Sequence, residues 1–189
     1  MSANETRELI HRGRKYDFER VSSVTPGGRS VSLEIVRHPG AVCVVALARA
    51  GASPEWMPGG GAGGLVMITN YRGAVQRELG ESCAGTKEAG EVPGICAGRE
   101  LIEETGFRGG TIEPIASFYT TPGMTDELMH AFIATDLEYV GQQLEADEEI
   151  RVEVMPVDRA LGMIEGGEIV DGKTITALLL AHRRGMLDA

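Results

Sequence analysis

Long apolar stretches are missing from this chain of 189 residues: the longest, Ala41 to Ala48, falls far short of the roughly 20 residues a membrane-spanning helix needs. The polar, charged N-terminus also lacks the apolar core of a secretion signal. Basic residues are in deficit, 18 Lys and Arg against 28 Asp and Glu, so the formal charge is −10 and no basic patch is present to grip a phosphate backbone. That excludes a general nucleic-acid binder but not a small anionic substrate, because a bound cation reverses the local sign of an acidic site. Cysteines are few and odd in number, and Cys43, Cys83 and Cys96 lack metal-site spacing. Reduced thiols in a cytoplasmic protein are the expectation, with Cys43 in the core and Cys83 close to the site. Internal repeats, a domain linker and the phosphate-binding lysine pattern of a P-loop are absent as well.

What remains is enough for one well-buried domain spanning residues 1–189. Arg14 to Val24 and Ser30 to His38 read as strands joined by the tight turn Pro26-Gly27-Gly28-Arg29, an N-terminal β-hairpin added to the main sandwich. Ala41 to Ala48 has the unbroken apolar character of a buried strand, and Leu65 to Tyr71 and Arg77 to Cys83 extend the sheet. Strands near Thr111 to Tyr119, Leu128 to Thr135 and Ile150 to Met155 follow, then helices from Val157 to Ile164 and Lys173 to Arg184, the last packed through Leu178, Leu179 and Leu180. The glycine-rich stretch Ser53 to Gly64 reads as a mobile connector anchored by packing of Trp56, the only tryptophan.

The most informative segment is Gly85, five residues, Glu91, seven residues, then Arg99-Glu100-Leu101-Ile102-Glu103-Glu104-Thr105-Gly106-Phe107. Pro93 suits a first helical turn and Gly106 the left-handed position past a helix end, which predicts a helix from about Val92 to Thr105. Ile95, Leu101 and Ile102 supply its buried side, and Gly98 lets another backbone approach. At 3.6 residues per turn Glu100, Glu103 and Glu104 share one face, the first and last about 6 Å apart along the axis. Like charges at these spacings weaken a helix unless something positive sits on them, and Arg99, able to pair with Glu103, cannot neutralise all three. Such hard oxygen donors suit Mg²⁺ or Mn²⁺, which shares its remaining positions with water and substrate phosphates.

The segment resembles, at every specified position, the signature of the Nudix hydrolases, G-x5-E-x7-R-E-U-x-E-E-x-G-U with U bulky and apolar. The resemblance implies an α/β fold, a Nudix-type α/β/α sandwich with a mixed sheet, and Mg²⁺-dependent hydrolysis of a nucleoside diphosphate linked to another group. Pro122, about fifteen residues after the signature, together with Val36-Arg37-His38-Pro39-Gly40-Ala41-Val42, Tyr71-Arg72 and Gly167-Glu168-Ile169-Val170-Asp171-Gly172-Lys173-Thr174, resembles the ADP-ribose pyrophosphatase branch. In that branch a loop glutamate after the proline activates water or holds a metal, and Glu127 matches it, with Asp126 as its nearest competitor. Arg72 matches an arginine that contacts substrate in relatives; a salt bridge to a carboxylate is its equal alternative. Relatives usually carry Glu-Leu-Pro-Ala-Gly before the signature, whereas this chain has Glu81-Ser82-Cys83-Ala84-Gly85, and loss of the proline is expected to loosen that loop.

The resemblance therefore implies a metal site made of Glu100, Glu104 and the Ala84 carbonyl, with Glu103 as a further ligand or water-mediated contact. Glu127 is the expected general base, and Arg99 and Glu91 orient the carboxylates. ADP-ribose would give AMP and ribose 5-phosphate. A pyrophosphatase for another nucleoside diphosphate sugar such as GDP-mannose, and a non-catalytic ADP-ribose sensor, are the alternatives. The resemblance also implies a homodimer that uses residues 1–38 across its interface, with 39–189 as the catalytic part.

Overall fold

The computed structural model describes residues 5–144, 146 and 148–187. Among these described residues twelve strands and three α-helices follow one another: β1 (Thr6–Arg12), β2 (Asp17–Val24), β3 (Ser30–Arg37), β4 (Ala41–Ala48), β5 (Gly64–Arg72), β6 (Arg77–Glu81), β7 (Cys83–Thr86), α1 (Pro93–Glu100), β8 (Phe107–Arg108), β9 (Thr111–Tyr119), β10 (Leu128–Thr135), β11 (Glu138–Tyr139), β12 (Arg151–Met155), α2 (Val157–Glu165) and α3 (Gly172–Arg183). None of the described helices is long and apolar enough to cross a membrane.

β4 organises the molecule. All eight of its residues are buried, and at period two they serve both faces. Ala41, Cys43, Val45 and Leu47 pack with Ala160 of α2 and with Ala177, Leu178 and Ala181 of α3. Val42, Val44, Ala46 and Ala48 pack on the opposite side with Cys96, Ala97, Leu101 and Phe107. Each fully buried Val or Leu contributes about 1.5–3 kcal/mol, so this strand, covered on both faces, is the main element of an α/β/α sandwich. The sheet runs β12-β5-β4-β10-β9, with β4 and β10 parallel and the other pairs antiparallel.

A fork in this sheet makes room for a site. Ala46 to Ala48 pair with β5, whereas Ala41 to Val44 pair with β7, and β5 beyond Ile68 pairs with β6. Cys83-Ala84-Gly85 therefore form a short strand in the mouth of the fork. The segment without the proline is paired with β4 from Cys83 to Thr86.

Several expectations change. The N-terminal hairpin gains a third strand, β1, in a separate antiparallel sheet β1-β2-β3. Every residue of β1 is exposed, so it carries no burial pattern by which to recognise it. On α1, Ile95 is 67% exposed, and small Cys96 and Ala97 face inward, letting the helix approach β4 closely. Gly98 faces the side chain of Ile112 rather than a backbone. On α3, Thr174, Ala177, Leu178 and Ala181 are buried at helical spacing, which turns Leu179 out to solvent. The glycine-rich loop is tied down: Gly51 N–H donates to Gly61 O at 3.0 Å, and Val154 N–H donates to Pro58 O at 2.8 Å. Met57 is its buried anchor, while Trp56 is 70% exposed and meets Tyr139 edge-on at 5.7 Å.

Candidate active site

The helix carrying the glutamates starts as read, with Pro93 in its first turn, but changes pitch midway. Beyond Glu100 it continues as one π-helical turn, Leu101–Thr105, ended by Gly106 at φ 77°. A Cβ there would also lie 2.7 Å from Gln142 N, so both conformation and space require glycine. The Thr105 hydroxyl donates back to the Leu101 carbonyl and accepts from Phe107 N–H at 3.2 Å, which ties the turn to the start of β8.

The three glutamates end in different surroundings. Glu104 is 5% exposed and accepts a 2.9 Å hydrogen bond from Ala84 N–H of β7. Burial raises its pKa to about 7, against that hydrogen bond and the Cys83 thiol, with the charge of Glu100 adding to the rise. Glu100 lies over Gly85, and burial raises its pKa as well. Glu103 is the most open of the three and turns to Arg99.

Arg99 ties this face together. Nη1 donates to Glu100 and Glu103, both at 2.8 Å, while Nε and Nη2 fork onto Glu91 at 3.0 and 3.1 Å. Hydrogen bonding to Arg99 holds the Glu91 carboxyl down at about 2. Among the described residues no three Asp, Glu, His or Cys side chains converge as a ready ion cage, and Glu103 is paired with Arg99. The donor chemistry nevertheless fits a hard divalent cation: oxygen only, with Glu100 and Glu104 driven toward the neutral form by burial and one arginine shared among several carboxylates. Gly85 provides the fit, since a Cβ at that position would sit 1.8 Å from Glu100 Cδ.

Beside Ala84 and Gly85 opens a cavity of about 500 Å³, lined further by Tyr16, Arg72, Glu127 and Lys173. Arg72 forms the salt bridge weighed against its substrate role, with Nε and Nη2 on Glu81 at 2.7 and 2.5 Å, and it lines the cavity as well. Glu81 is fully buried and also accepts from Lys173, whose Nζ lies 2.9 Å from Asp171. Sequence reasoning missed this four-residue network. Its members come from β5, β6 and the start of α3, and only the fold joins them.

Glu127 reaches the same cavity from the β9–β10 loop, where Thr120 Oγ1 donates to it at 2.5 Å and His38 Nε2 lies 3.4 Å away. Asp126 turns away onto β3, accepting from His38 N–H at 2.8 Å and pairing with Arg37 at 2.6 Å. His130 sits elsewhere on β10 against Ser117, at 2.8 Å. Sequence reasoning also passed over Glu148, whose negative charge adds to the raised pKa of Glu100. The signal available was the acidic run ending in Glu148-Glu149.

Comparison with known proteins agrees with this geometry. The chain is 35% identical over 185 residues to the ADP-ribose pyrophosphatase of Bacillus subtilis (strain 168), covering 97% of this chain and 94% of that protein. It is 34% identical over 173 residues to the methanol dehydrogenase activator of Bacillus methanolicus, covering 90% and 87% of the two chains. The crystal structure of an ADP compounds hydrolase superposes with a TM-score of 0.76 at 19% identity, covering 97% of this chain and 95% of the other. Residues 37–178 match the NUDIX domain, and on these grounds the chain belongs to the Nudix hydrolase family.

Proposed function

We propose that this protein hydrolyses the diphosphate bond of ADP-ribose or a related nucleoside diphosphate sugar, giving AMP and ribose 5-phosphate from the former. The observation that carries this reading is the cavity opening beside Ala84 and Gly85, the strand segment onto which Glu100 and Glu104 project. Similarity to an ADP-ribose pyrophosphatase over nearly the whole length supports the substrate class.

Glu100, Glu104 and the Ala84 carbonyl would hold Mg²⁺, or Mn²⁺ in its place, with Glu103 joining as it leaves Arg99. Such an ion supplies charge neutralisation for the diphosphate and acidifies water. Arg99 and Glu91 keep the carboxylates aimed. Arg72 keeps Nη1 outside its fork with Glu81, and this group serves a phosphate or ribose oxygen. Water forms one new P–O bond, the bridging P–O bond breaks, and Glu127 accepts the proton released.

Glu148, whose negative charge is felt at Glu100, is the control residue for this assignment. Replacement of Glu127 by Gln is expected to lower kcat about 10²- to 10⁴-fold with little change in KM. An unchanged kcat, with the loss appearing in Glu148→Gln, would transfer the role to Glu148.

The homodimer also belongs to this proposal. Leu9, Ile10, Val31 and Leu33 of the N-terminal sheet are 44, 40, 38 and 58% exposed, an apolar surface that a second copy would cover. Sedimentation at micromolar concentration should give twice the chain mass of 20.2 kDa; a monomer would remove the dimer. We place the protein in the cytoplasm, where its three buried thiols remain reduced.

The deciding assay is AMP release from ADP-ribose with Mg²⁺, beside GDP-mannose, NADH and diadenosine polyphosphates, each with and without EDTA. EDTA-sensitive AMP release supports the reading. Turnover of another compound alone moves the substrate, and binding of ADP-ribose without turnover favours a sensor.

A further inference from the structure

The loop that presents Glu127 is fastened to the end of β3. Val36 N–H donates to Met124 O at 2.8 Å, Asp126 N–H returns to Val36 O at 3.4 Å, and the two oxygens of Asp126 are taken by His38 N–H and Arg37. Asp126 therefore acts as a clamp between strand and loop, and the next residue, Glu127, faces the His38 ring.

The ring itself is fixed on three sides. Gly40 N–H donates to Nδ1 at 3.0 Å. A ring nitrogen that accepts a hydrogen bond carries no proton, so the neutral imidazole holds its proton on Nε2, the atom 3.4 Å from Glu127 Oε1. Tyr16 stacks on the ring face, with centroids 4.7 Å apart and planes 22° from parallel. The His38 side chain is 8% exposed. Burial lowers its pKa despite the opposing charges of Glu127 and Asp126, which keeps the ring neutral at pH 7.

We propose that His38 is a positioning residue for Glu127: its Nε2–H, aimed by Gly40 and Tyr16, holds one carboxylate oxygen while Thr120 holds the other. This rests on the reading that Glu127 works in the cavity. Thr120 Oγ1 donates to one carboxylate oxygen at 2.5 Å and the other lies 3.4 Å from His38 Nε2, and the segment just after β3 that carries His38 joins the N-terminal sheet to the reaction site. Sequence spacing could not reveal it, since His38 and Glu127 lie 89 residues apart.

A double-mutant cycle tests the link, with kcat and KM measured on ADP-ribose and Mg²⁺ for His38→Leu, His38→Gln, Glu127→Gln and the pair His38→Leu/Glu127→Gln. His38→Leu should lower kcat/KM about tenfold, the size of coupling that neighbouring residues show. His38→Gln, which retains an N–H donor, should recover most of the loss. In the Glu127→Gln background His38→Leu should have no further effect. Equal losses in both backgrounds would overturn the positioning role with Glu127 intact, whereas a native rate for Glu127→Gln would remove the Glu127 reading itself. Should His38→Leu not fold, ¹⁵N correlation spectra of the native protein decide: the His38 signal should be that of the neutral Nε2–H tautomer, and the Nδ1–H form would overturn the proposal.

Discussion

Glu104→Gln should lower kcat by about 10³-fold, the upper end of what loss of a single charge-stabilising group costs, while leaving the fold intact. Glu104 is buried against β7, and its Ala84 N–H donor can bond the amide oxygen of Gln equally well. What disappears is the negative charge that a cation requires. The same residue predicts a stability signature. Its carboxyl is raised from the ordinary 4.5 to about 7, so in the metal-free protein the folded state binds the proton more tightly than the unfolded chain. Stability from this group is full below pH 4.5, falls between pH 4.5 and 7, and above that is lower by roughly 3 kcal/mol. With EDTA present, the Tm of the native protein should decline across that window, and Glu104→Gln should flatten the decline. Added Mg²⁺ at pH 8 should raise the Tm of the native protein but not of the variant. Undiminished turnover in Glu104→Gln, or equal Mg²⁺ stabilisation of both proteins, would refute the assignment.

Gly85→Ala is the second large effect, expected to reduce kcat/KM about 10²- to 10³-fold. A Cβ on Gly85 would lie 1.8 Å from Glu100 Cδ and 2.1 Å from each carboxylate oxygen. No contact of that kind is tolerated, so Glu100 must leave its place over β7. Gly85 has no left-handed backbone angle, which means alanine introduces no backbone strain and the substitution isolates the steric conflict. The displaced atoms are the far end of a flexible side chain, so the fold should lose little stability. Circular dichroism should therefore remain native while the Mg²⁺ concentration for half-maximal activity rises. Native kinetics in Gly85→Ala would mean that Glu100 works from another position and is not a metal ligand there.

These two substitutions show how a signature can be legible without being understood. The spacing Gly85…Glu91…Arg99-Glu100…Glu103-Glu104 pointed to the chemistry, but a glycine at its start had no reason in one dimension. The reason is the carboxylate of Glu100, folded back over β7. Glu91 likewise stands eight residues before Arg99, and the structure shows why: both arms of the Arg99 fork close on it at 3.0 and 3.1 Å.

The elements that came directly from sequence are those set by local physics. Ala41 to Ala48 is read correctly to the residue because an unbroken apolar run buried on two faces has few alternative homes. The carboxylate helix begins at its proline and ends at its glycine because backbone angles are local properties. Side-chain orientation was less secure: Ile95 and Leu179, apolar yet exposed, belong to helices whose inward faces are chosen by the small residues that allow close packing.

Sequence by itself thus determined the acidic face on one helix, which depends on residues near one another along the chain, and through the resemblance of that segment to the Nudix signature it implied the fold class and the type of chemistry. Tertiary structure alone decided that Arg72 shares Glu81 with Lys173, and that Asp126 clamps a loop while Glu127 enters the cavity. Most of these pairings join separate elements across the fork in the sheet, and only the packed core, by fixing where strands and loops end, brings their polar atoms within hydrogen-bonding distance.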